Sequence, residues 1–204
     1  MMRSKCAVLM VAAAGVLLGG CSTEGVASEE PLAEVEEAIG YDCPEGIPAA
    51  LTPAADQTIK SVLTGVGVQV YMCTSNASGT PTWTFVAPQA NLLSDSGKLA
   101  GTHFIGPTWQ GNDASSVVAA RIAGATVDSS ALPWLLLGAT SHAAEKGMFK
   151  DVSSIQRLAT VGGLAPTTGC DAEHYGSIQQ VPYVADYVFY KTKTRGKVVQ
   201  CAGE

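Results

Sequence analysis

The chain has 204 residues, 47% of them hydrophobic and 15% charged, with a formal net charge of −6. That composition excludes a disordered chain and a coiled coil, and the lack of any Lys/Arg cluster excludes a nucleic-acid footprint. The length suits one domain that buries about two-thirds of its unfolded surface.

Residues 1–20 read as a lipoprotein signal peptide. Arg3 and Lys5 precede an apolar run, Cys6 to Leu18, that is too short to span a bilayer comfortably. Leu18-Gly19-Gly20-Cys21 then resembles a bacterial lipobox: an apolar residue, two small residues and a cysteine. Small residues admit the peptidase to the bond before Cys21, whose thiol carries diacylglycerol. The alternative is an ordinary secretory signal cut near Ala27 or Ser28. Ser22 follows the cysteine, and without an aspartate there the expected destination is the outer membrane of a two-membrane cell. The lipid on Cys21 makes the membrane the first expected partner.

Residues 21–40 form an acidic tether. Glu24, Glu29, Glu30, Glu34, Glu36 and Glu37 lie within it, and their repulsion extends the segment. Removal of residues 1–20 takes away Arg3 and Lys5, and the mature chain then carries a formal charge of −8.

Residues 41–204 are expected to form a single β domain. Cys43, Cys73, Cys170 and Cys201 remain there, and four thiols in an exported domain suggest two disulfides. Cys43 and Cys201 flank the domain, whose ends are expected to lie close together, so they pair, leaving Cys73 for Cys170. Val66 to Cys73 alternates, with Val66, Val68, Val70 and Met72 on one side and Gly67, Gln69, Tyr71 and Cys73 on the other. Thr82 to Val86 and Lys98 to Ile105 follow as strands. Ser115 to Gly124 admits a helix capped by Asp113, but its Val and Ile content and its terminal glycine favour a strand. Pro133 to Thr140 is continuously apolar, as a strand buried on both faces would be. In Val181 to Lys191, residues Val181, Tyr183, Ala185, Tyr187 and Phe189 share a face. Turn-rich segments separate these runs, and no long amphipathic helix appears. The pattern predicts an all-β fold, a β-sandwich or partly closed barrel of roughly 8–10 short strands with little helix.

The ordered set "GVQVYMC", "HFIGPTW", "PWLLLGA", "IQRLATVGGLAPTTGC" and "VPYVADYVFY" resembles the family catalogued as domain of unknown function 3455 (DUF3455). The resemblance spans Leu51 to Lys191. It implies an exported bacterial or fungal protein and carries no established activity. Gly65 to Val68 lies inside a strand, with no GxGxxG opening a helix, so nothing points to a dinucleotide cofactor.

The stretch His103 to Asp113 gathers His103, Trp109 and Asp113 and is the candidate ligand surface. Read architecturally, His103 is a hydrogen-bonded core residue, Trp109 packs on apolar neighbours, and Asp113 bonds the backbone of a tight turn. His142 and His174 lack the paired spacing of metal ligands, and no GxSxG elbow or P-loop is present. No metal and no cofactor is expected. The sequence therefore favours a cell-envelope lipoprotein whose β domain is a binding or structural module, with a glycan or envelope polymer as one partner class. Two alternatives are a hydrolytic or metal-dependent enzyme built on His103 and Asp113, and an inhibitor with a protruding loop.

Overall fold

The computed structural model describes residues 40–203. Residues 1–20, expected as a signal peptide, Cys21 and the expected tether as far as residue 39 lie outside the described residues. Eight strands follow one another: β1 (Gln57–Ser75), β2 (Pro81–Leu93), β3 (Leu99–Phe104), β4 (Thr108–Gly111), β5 (Ser116–Ala125), β6 (Trp134–Ala143), β7 (Ser154–Gly162) and β8 (Ile178–Thr192). Each pairs antiparallel with its neighbour, and β8 returns to pair with β1, closing the barrel. Two single 3-10 turns, Ala49–Leu51 and Ala172–His174, are the helical elements among the described residues.

The fold is all-β, and its closure lengthens the strands. Closing a sheet tilts the strands by roughly 35–45°, so each takes more residues to cross the same height. β1 accordingly has 19 residues and begins at Gln57, well before the alternation at Val66, and β8 has 15. Thr108–Gly111 forms a strand of its own between two turns.

The alternation in β1 runs against the usual rule. Val66 on its outer face is exposed, whereas Gln69 and Tyr71 on the other face are buried. Gly65 shows why small residues stand on the inner line: a Cβ there would come within 2.5 Å of the Tyr187 ring. The inner cluster also takes Leu63, Leu92, Val117, Ile155 and Phe189, and Phe149 and Val152 from the β6–β7 connection join it. In this up-and-down order the β1–β2, β3–β4, β5–β6 and β7–β8 connections gather at one end. The remaining connections, with Phe149 and Val152, close the other.

A second apolar cluster lies on the outer wall. Ile47, Leu51 and Cys201 from the two ends of the domain pack on Trp134, Leu136, Leu158 and Tyr190. Gln156 fastens them: its amide nitrogen donates to the Leu51 carbonyl at 2.6 Å and to the Cys201 carbonyl at 2.9 Å, and the Tyr190 hydroxyl donates to its oxygen at 2.6 Å. A disulfide joins Cys43 to Cys201, with Cα atoms 5.4 Å apart. The apolar run of β6 follows from this arrangement. Leu135 and Leu137 face the inner cluster, and Trp134 and Leu136 lie under the strap formed by the chain ends.

Candidate functional site

His103 and Trp109 meet because β3 and β4 form a hairpin in which they are directly paired. Gly106, at φ 90°, takes the left-handed conformation that the tight connection requires. The two rings stack with centroids 4.2 Å apart, and the Tyr187 ring meets both edge-on. His103 is 4% and Trp109 1% exposed, so neither presents a surface to solvent; both face the barrel interior. The His103 Nδ1–H donates to the Thr108 carbonyl at 2.8 Å, which leaves Nε2 as the lone-pair nitrogen. Burial pulls the His103 pKa down to about 3, against the opposing pull of the Thr108 carbonyl, so the ring is neutral.

Asp113 stands apart, in the turn beyond the far end of β4. Its carboxylate accepts from the Ser115 hydroxyl at 2.6 Å, the Ser115 N–H at 3.0 Å and the Met148 N–H at 2.6 Å. The Ser115 hydroxyl and these amides hold its pKa below the ordinary carboxylate value. Asp113 therefore joins the β4–β5 turn to the β6–β7 connection and does not meet His103. His142 pairs with the Val152 carbonyl at 2.8 Å, and His174 with Asp171 at 2.6 Å. Among the described residues no three His, Cys, Asp or Glu side chains converge as metal ligands do.

The interior between His103 and the open end is a cavity of about 620 Å³, and all eight strands contribute to its wall. Gln69, His103, Trp109, Arg157 and Tyr187 supply the polar part. Leu135, Leu137, Phe85 and Pro133 supply much of the apolar part, and Arg121 stands at the edge. Eight-stranded barrels have room for packed side chains or one small ligand, and this one divides its length between the two.

Arg157 is the electrostatic centre of that wall. Its Nε and Nη2 donate to the Pro133 carbonyl at 3.2 and 2.8 Å, and the Tyr187 hydroxyl is a further partner. Lys60 pairs with Asp151 away from the cavity, and no carboxylate lines the cavity. Burial raises the pKa of Tyr71, Tyr183 and Tyr187, so these phenols stay protonated and do not neutralise the guanidinium. Burial also lowers the Arg157 pKa, though an arginine remains charged at any physiological pH. Two further donors on the wall, Gln69 Nε2 and Trp109 Nε1, are buried without an acceptor. An unpaired buried N–H costs about 1–3 kcal/mol, so such groups call for a specific explanation.

The open end is braced. A disulfide ties Cys73 at the end of β1 to Cys170 in the β7–β8 connection, with Cα atoms 5.3 Å apart. The Tyr71 hydroxyl donates to the Gly163 carbonyl at 2.6 Å, and the Trp83 indole N–H donates to the Thr168 carbonyl at 2.8 Å. Trp83 is half-buried and Trp134 buried, so no tryptophan offers the exposed platform that a glycan surface would use.

Of the residues singled out from sequence, His103 and Trp109 line the cavity together. Gln69, Tyr71, Arg157 and Tyr187 were not singled out. The signal for Arg157 was present: alternation sets it two residues from Ile155, on the line that faces the barrel interior.

The fold and its wall define a closed, eight-stranded, antiparallel β barrel with a partly filled interior. The chain belongs to the family described as "Protein of unknown function (DUF3455)", whose model matches residues 53–99 and 94–191. No curated protein and no solved structure gives a significant match to it.

Proposed function

We propose that this chain is an exported, lipid-anchored protein of the cell envelope whose barrel binds a small molecule in its interior. The carrying observation is the 620 Å³ cavity, which reaches from the braced open end to the His103–Trp109 stack and has a wall of both apolar and donor groups. That volume lies in the range of small-molecule sites, roughly 300–1,000 Å³. The four cysteines form two disulfides, which suits an oxidising compartment. The lipobox-like Leu18 to Cys21 supports the anchor. With Trp109 in the interior, Trp134 under the strap and Trp83 half-buried, a small ligand fits better than a glycan or envelope polymer.

Titration of the purified full chain with the neutral fluorophore N-phenyl-1-naphthylamine tests the cavity. Saturable one-site binding is expected, and Leu135→Trp, which fills the apolar wall, is expected to abolish it while leaving the near-UV CD spectrum folded. Binding that Leu135→Trp leaves untouched would place the probe elsewhere and defeat the reading. Labelling with a clickable fatty acid is expected to mark the wild type and to miss Cys21→Ala; label on the variant would refute the anchor.

A further inference from the structure

We propose that the ligand of this cavity is a small amphiphile with a single oxyanion head, which Arg157 receives, and an apolar body lying along Leu135, Leu137 and Phe85. The proposal rests on the cavity reading above and names the chemistry of its occupant. Four observations carry it.

First, the charge of the cavity opposes the charge of the protein. The chain is net −6, yet the cavity wall carries Arg157 and Arg121 and no carboxylate. Second, Arg157 is held in position without being neutralised. The Pro133 carbonyl accepts from Nε and Nη2 and fixes the plane of the guanidinium, the Tyr187 hydroxyl lies beside it, and no carboxylate lines the cavity to pair with it. A cation taken out of water without a counter-ion is costly, and an anion delivered by a ligand removes that cost. A planar guanidinium fork suits a carboxylate or a similar oxyanion better than it suits a neutral carbonyl. Third, the unpaired N–H groups of Gln69 and Trp109 belong to the same wall. All three groups donate, so the wall is matched to an acceptor. Fourth, Leu132, Pro133, Leu135 and Leu137 give the wall a broad apolar side, and Phe85, Val86 and Ile105 at the open end are exposed. An inorganic ion would leave that surface unused.

Two probes that differ only in the head group separate the possibilities. 8-Anilinonaphthalene-1-sulfonate is N-phenyl-1-naphthylamine with a sulfonate added. On the wild-type chain the sulfonate is expected to bind at least tenfold more tightly than the neutral probe. Arg157→Gln is expected to bring the ratio of the two affinities to about one, and Arg157→Lys to retain part of the advantage. Equal affinity for the two probes, unchanged in Arg157→Gln, would overturn the oxyanion assignment and leave the cavity reading standing. Failure of both probes on the wild type would remove both. If Arg157→Gln does not fold, displacement from the wild type decides. Octanoate is expected to displace the sulfonate probe at a concentration at least tenfold below octanol, and inorganic phosphate not to displace it. Octanol matching octanoate would refute the head group, and phosphate matching octanoate would refute the apolar body.

Discussion

Truncating Trp109 removes two opposed terms that a second substitution can separate. The indole is 1% exposed, stacked on His103 and met edge-on by Tyr187 and Phe189 at 5.5 and 6.3 Å. Deleting a buried aromatic to alanine costs about 3–5 kcal/mol. The indole N–H, however, has no acceptor, and its burial already costs the folded state about 1–3 kcal/mol, which alanine gives back. With the middle of the second range, the net expectation for Trp109→Ala is a loss of about 1–3 kcal/mol, a sizeable part of the about 5–15 kcal/mol that a domain possesses. Trp109→Phe keeps a ring against His103 and Tyr187 and removes the same orphan donor. The smaller ring forfeits about 1–2 kcal/mol of packing, so the two terms nearly cancel and the net change lies within about 1 kcal/mol of zero. Equilibrium urea unfolding of the oxidised protein, with the slope checked between variants, measures both values. A Trp109→Phe loss equal to that of Trp109→Ala would show that the N–H is productively bonded. It would refute both the cancellation and the view of Trp109 as a waiting donor.

His103 links stability to pH. Its folded pKa lies far below the ordinary 6.5, so below pH 6.5 the unfolded chain takes up a proton that the folded chain refuses. Stability is therefore full above pH 6.5 and declines as pH falls toward 3, by about 3 kcal/mol at pH 4. His103→Gln should flatten that part of a pH–urea midpoint profile, and an unchanged slope would contradict the burial of a neutral imidazole. For Asp113 the carboxylate pKa is depressed in the folded state, so its contribution is present above the unfolded value and lost as pH falls through the folded one. Asp113→Ala should cost about 1 kcal/mol at pH 7 and progressively less in acid; a loss independent of pH would refute the role of its charge. Removing the Cys43–Cys201 bridge by a double Cys→Ala change opens a loop with a sequence separation of 158 and should cost about 4–5 kcal/mol. Non-reducing peptide mapping that finds Cys43 joined to Cys73 or Cys170 would refute the pairing itself.

Much of the fold is visible in local patterns because strand faces repeat every second residue. The common face of Tyr183, Ala185, Tyr187 and Phe189 is the interior face of β8. The unbroken apolar run of β6 reflects burial from within and from the strap outside. Closure is not visible in the same way. It depends on the pairing of β1 with β8, and no local pattern records which strands meet across more than a hundred residues. The site was less legible still. Gln69 and Tyr71 share their face with Gly67, and a rule that places valine inward assigns that face to solvent. Arg157 reads as an ordinary arginine until the barrel surrounds it. The cluster in His103 to Asp113 was conspicuous in composition, but the hairpin turns two of its members into the cavity and leaves the third to hold a turn.

The bridge between Cys43 and Cys201 changes what a protease can do to this molecule. With its two ends covalently joined, the chain from residue 43 to residue 201 is a closed ring. A single cut in any connection, including the exposed β1–β2 turn, opens the ring without freeing a fragment. Every strand stays attached to its neighbours, and the barrel keeps the partner of each backbone hydrogen bond. A second cut frees a piece only if it falls on the same side of the Cys73–Cys170 cross-link, which divides the ring into two smaller loops. Such a molecule survives its first cut whole.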